Sequence, residues 1–166
     1  MADSRFDLVD DGVEMRANGT EVRLLRDAVV LLESLGTPDD DPGAARLSPP
    51  VYLGDPEADA EWRRLAGSEL DSSRRSDRSA FDLVLDALAE GGAEGDKIGA
   101  TIISDLEAAA FMRVVNEVRL VLAARWGVDT AEDFARLRPE ADDVLVFLGW
   151  LVSDLADSLG EVLDTR

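Results

Sequence analysis

The stretch Ser104 to Gly127, SDLEAAAFMRVVNEVRLVLAARWG, constrains the fold more than any other. Ser104, with Glu107 three residues later, predicts a capping box in which hydroxyl and carboxylate reciprocally satisfy the first orphan backbone donors of a helix. At about 100° per residue, Phe111, Val114, Val115, Val118, Val121 and Leu122 fall on one apolar face. Leu106, Ala109, Leu120, Ala123 and Ala124 make the opposite side apolar as well. A helix apolar on most sides belongs in the interior, with other elements over both faces. Gly127 then stands at the C′ position where helices stop.

The remaining segments can be arranged around that helix. Phe6 and Leu8, then Val13 and Met15, alternate with polar residues about Asp10-Asp11-Gly12, which predicts a hairpin. Thr20 is placed to cap a helix carrying Leu24, Leu25, Ala28, Leu31, Leu32 and Leu35, and Gly36-Thr37-Pro38 stops it. Residues 37–56, with five prolines and the run Asp39-Asp40-Asp41, read as a long acidic loop. The run lacks the alternating ligands, central Gly and closing Glu of a calcium-binding EF-hand. Pro56 opens a helix with Trp62 and Leu65 inward, and Ser68 with Asp71 predicts a second capping box. The helix begun there continues through Phe81, Leu85 and Leu88 to Gly91-Gly92, and Gly67-Ser68 separates it from the first. Lys97 to Ile103, in which Ile98, Ala100 and Ile102 alternate, reads as a strand able to join the hairpin in a three-stranded sheet. Thr130 and Asp133 cap a short helix ending near Pro139. The last helix spans about Glu140 to Leu163, with Val144, Leu148, Leu151, Leu155, Leu159 and Val162 as its core seam. The expected fold is mostly α: a single domain, residues 1–166, of about five helices around the central one, with a small antiparallel sheet.

Composition narrows the chemistry. A chain of 166 residues that is 46% hydrophobic can bury a real core. Its longest apolar run, Val144 to Val152, is about half of what a bilayer span needs. MADSRFDLVDD has no apolar signal-peptide core. A cytoplasmic protein without a membrane segment is therefore expected. With no Cys there are no disulfides; with no His as well, the common zinc, copper and haem ligand sets are missing, and nucleophilic triads lose their usual base. GGAEGDKIG puts Asp96 and Ile98 where a P-loop needs Gly and Ser or Thr. Carboxylates are so abundant that no acid–base pair stands out, so no catalytic residue, metal or cofactor is expected. The net charge of −19 opposes direct contact with nucleic acid or anionic lipid. A GC-rich coding sequence or a salt-adapted cytoplasm would each produce such an acidic chain.

Three features carry candidate sites. Arg63, Arg64, Arg74, Arg75 and Arg78 form the one basic cluster. It could bind phosphate or an acidic partner, although balancing neighbouring carboxylates is the simpler reading. On the last helix, Phe147 and Trp150 share an arc with Asp143, Asp154, Asp157 and Glu161. An apolar patch rimmed by charge suits a protein partner, or a homodimer through this helix. The alternative is that the hairpin or the linker covers it. Asn116 and Arg119 are the polar pair of the central helix, able to line a pocket or grip a carboxylate. Structurally they would tie the helix to a loop carbonyl or to a distant acid, beside an i,i+4 pair of Arg113 and Glu117.

The segments EWRRLAGSEL, NEVRLVLAARWGV and VLVFLGWLVSDLADSL, in that order, resemble the family catalogued as domain of unknown function 2017, small proteins of GC-rich bacteria. The likeness spans nearly the whole chain. Its most specific parts are the Asn-x-x-Arg-Leu-x-Leu element (Asn116, Arg119, Leu120, Leu122) and Leu-Gly-Trp-Leu (Leu148 to Leu151). Some cysteine-bearing relatives are described as regulators of transcription under oxidative stress. This chain has no cysteine, so a thiol switch does not carry over. The expected function is a non-enzymatic regulatory or adaptor protein that binds another protein. The alternatives are a transcription regulator contacting DNA or the transcription machinery, and a small-ligand protein or enzyme using Asn116 and Arg119.

Overall fold

The computed structural model describes residues 4–165, with side chains through Gly160. Strands β1 (Phe6–Val9) and β2 (Gly12–Asn18) form the hairpin, and β3 (Ile98–Ile103) joins β2 antiparallel, in the order β1-β2-β3. The helices are α1 (Gly19–Glu33), α2 (Pro42–Leu47), α3 (Pro56–Glu90), α4 (Asp105–Arg125), α5 (Ala131–Phe134) and α6 (Pro139–Thr165). The protein is mostly helical with one small sheet.

The central helix is α4. Ser104 and Glu107 close its capping box, the Glu107 amide on the hydroxyl and the Ser104 amide on the carboxylate. At its other end the Val128 amide reaches the Ala123 carbonyl and the Gly127 amide that of Ala124, a Schellman turn that Gly127 permits at φ +70°. Phe111, Val114, Val115, Val118, Val121 and Leu122 are all buried. Phe111 stacks on Phe81 of α3 at 4.8 Å and meets Phe6 of β1 edge-on at 6.1 Å. Helices α1, α2, α3 and α6 pack around α4, although Leu106 in its first turn is exposed.

Several local expectations are corrected. Asn18, not Thr20, caps α1: its side chain accepts from the Glu21 amide, and its own amide donates to the Glu21 carboxylate. The acidic loop contains α2, which Asp41 caps and which packs on α4, with Gly43 lying against Val121. Helix α3 runs unbroken through Gly67-Ser68 for 35 residues, so the Ser68–Asp71 capping box does not form. One glycine in a helix costs only about 1 kcal/mol, too little by itself to break a helix of this length. On α6 the seam is Leu145, Leu148, Leu151 and Leu155, with Val144 and Leu159 only partly buried. The side chains of Glu161 and Val162 lie outside the described residues.

In β3 the alternation faces the other way. Ile98 and Ile102 are 55% and 57% exposed, whereas Gly99 and Ile103 are buried. Gly99 explains the choice: a Cβ there would run into the Leu88 carbonyl and the backbone of Ala93, so only a hydrogen fits. Both outer strands meet groups from neighbouring helices. The Ser158 hydroxyl of α6 donates to the Phe6 carbonyl and Asp154 accepts the Arg5 amide, while Gly91, just past α3, abuts the Ala100 carbonyl of β3.

Candidate functional site

The arginine cluster comes from one helix but serves different ends. Arg63 donates to Asp59 at 2.7 Å and to the Ser48 carbonyl at 3.1 Å. Asp59 also accepts the Val51 and Tyr52 amides, so this pair straps residues 48–52 onto α3. Arg63, followed by the Val51 amide, holds the Asp59 carboxyl below its usual range. Arg64 forms a fork with Glu61 one turn away, at 2.9 and 2.7 Å. Arg74 reaches Glu117 on α4 at 3.0 Å and the Leu47 carbonyl at 2.7 Å, and Arg78 approaches the same Glu117 at 3.5 Å. Arg75 is exposed and donates to the Asp71 carbonyl. Arg74, Arg75 and Arg78 line one cleft of about 430 Å³ with Leu35, Ala44 and Leu47.

Glu117 therefore faces α3, and so does Arg113, which holds Asp77 bidentately at 2.7 and 2.8 Å. The expected pair within α4 gives way to these inter-helix pairs. The neighbouring Asp77 raises the Arg113 guanidinium above its usual value.

Phe147 and Trp150 lie 6.3 Å apart, ring to ring, on α6. Both are half-buried and packed against the core, while Val146 beside them is exposed. Asn116 and Arg119 bond each other: the guanidinium donates through Nε at 3.3 Å and a terminal nitrogen at 2.8 Å to Asn116 Oδ1. Among the described residues they tie α4 neither to a loop carbonyl nor to a distant acid. Arg119 also lines a cleft of about 410 Å³ between α4, α5 and α6.

Two features had little or no sequence signal. Asp41, from the acidic run, pairs with Arg125 across 84 positions and caps α2. The second is an apolar arm. All the buried side chains of α3 (Phe81, Val84, Leu85, Leu88) lie in its last turns, and none from Pro56 to Ala80 is buried. Along that arm Leu65 is 64% exposed, and Val51 and Tyr52 in the strap and Leu53 just after it are exposed as well, Leu53 at 87%. A Val-Tyr-Leu triplet inside a proline-rich loop was its one trace in the sequence.

Among the described residues no group of three or more acids converges to hold a metal ion, and no helix is long and apolar enough to cross a membrane. Fold and site together define a mostly helical, strongly acidic protein whose surface arginines are largely engaged in inter-element ion pairs. The chain belongs to the family described as domain of unknown function (DUF2017), whose model matches residues 3–159. No curated protein and no solved structure matches it.

Proposed function

We propose that this is a non-enzymatic regulatory or adaptor protein of the cytoplasm that acts by binding another protein. The observation that carries the reading is the arm: a helix of about 52 Å whose first 25 residues bury no side chain, flanked by the exposed Val51, Tyr52, Leu53 and Leu65. Apolar side chains held out on a rigid element gain most when a partner covers them. A partner with a basic rim suits a chain of net charge −19, which also speaks against DNA as the direct target. The arginine cluster contributes mainly by holding the strap and arm in place.

The test is a pull-down from native lysate at physiological salt, followed by reconstitution of the complex from the two purified proteins. One stoichiometric partner is expected, retained by wild type and lost with Leu53→Asp plus Leu65→Asp. A partner held equally by the double variant, or no partner for wild type, would end the proposal.

A further inference from the structure

Arg119 stands apart from the other arginines. Among the described residues, every half-buried arginine except Arg119 pairs with a carboxylate: Arg5, Arg16, Arg26, Arg63, Arg74, Arg78 and Arg125. The unpaired Arg23, Arg75 and Arg138 are exposed. Arg119 is half-buried, and both of its side-chain hydrogen bonds go to the neutral Asn116 Oδ1. In a chain with 36 acids against 17 bases, a sheltered guanidinium held by an amide keeps its full charge available. Asn116 occupies the Nε edge of the guanidinium fork, which leaves the edge between the two terminal nitrogens, the one that receives a carboxylate bidentately.

The surroundings fit such a ligand. The cleft that Arg119 lines has apolar walls of Leu120, Ala123, Val128, Phe134 and Leu145, and its volume of about 410 Å³ lies within the range of small-molecule sites. Arg46 at the rim lies 3.9 Å from Asp129, their side chains 49% and 75% exposed, so the cleft carries one more cation than anion. We propose that this cleft binds the carboxylate of an amphipathic acid, with Arg119 taking the carboxylate, Asn116 positioning the guanidinium, and the Phe134–Leu145 wall taking the apolar body. The site lies apart from the arm and stands whether or not the arm binds a partner.

Calorimetric titration of the purified protein with 4-phenylbutyrate tests it, using 4-phenylbutanamide as the uncharged control. Saturable binding is expected, weakened about tenfold or more for the amide and for Arg119→Gln. Asn116→Ala weakens it less, and Arg119→Lys, which keeps the charge but not the fork, falls between. Thermal melts of each variant separate loss of binding from loss of fold. An N-acetylated peptide ending in Leu-Phe, with free or amidated C-terminus, distinguishes the sources. Tighter binding of the free-terminus peptide assigns the carboxylate to a protein C-terminus, and tighter binding of 4-phenylbutyrate assigns it to a small acid. Equal affinity for acid and amide, no binding of any carboxylate, or undiminished binding by folded Arg119→Gln would overturn the proposal.

Discussion

Asp41 and Arg125 clamp the start of α2 to the last turn of α4, with carboxylate oxygens 3.1 and 2.5 Å from Nε and a terminal guanidinium nitrogen. The same carboxylate accepts the Gly36 and Gly43 amides. Arg125 foremost, then these amides, hold the Asp41 carboxyl well below its ordinary 3.8. A depressed carboxyl stabilises the fold fully above the unfolded value, and that contribution fades as pH falls toward the folded one. Asp41→Asn is therefore expected to lower Tm at neutral pH, and its gap to wild type to narrow below pH 3.8. Melts followed by circular dichroism across that range check it. A gap that does not change with pH would mean the charge is not what matters.

The Phe111 ring joins three elements, its own α4 to α3 through Phe81 and to β1 through Phe6. Phe111→Ala should cost about 3–5 kcal/mol, because the lost transfer energy is compounded by a cavity that α3, α4 and the sheet cannot close together. Urea unfolding measures this directly. A loss under about 1 kcal/mol would show that the rings do not pack as described.

Phe147 and Leu53 make a contrasting pair. Phe147 is half-buried against the core, whereas Leu53 lies almost wholly in solvent. Phe147→Asp should destabilise by about 2–4 kcal/mol, and Leu53→Asp should stay within about 0.5 kcal/mol of wild type. Equal effects in denaturant titrations would reverse the assignment of which apolar surface is free.

Gly99→Ala tests the inverted strand. The added methyl meets backbone of Leu88 and Ala93 rather than a movable side chain, so a loss of about 1–3 kcal/mol is expected. Ala100→Gly, on the exposed face of β3, serves as the comparison and should cost less.

Elements whose order is set by local chemistry were legible in the sequence. The capping box at Ser104, the Gly127 stop and the apolar face of α4 depend on neighbours within two turns. The strand before α4 was legible as a strand, but its inward face was not, because Gly99 is chosen by contacts with Leu88 and Ala93 rather than by pattern. Continuity of α3 through Gly67 was hidden for the same reason: local preference argued for a break, while Arg63 with Asp59 before it and Arg74 with Glu117 of α4 after it hold the helix on either side. Asn116 and Arg119 were visible as an oddity. That Arg119 lacks a carboxylate became legible only once every other half-buried arginine had been matched with one.

The borders of the sheet are partly occupied from within the chain. Ser158 and Asp154 take up the Phe6 carbonyl and the Arg5 amide on one side, and Gly91 abuts the Ala100 carbonyl on the other, so an incoming strand would have to displace those contacts to pair there. The same contacts would hinder two copies of this protein from pairing edge to edge at those places.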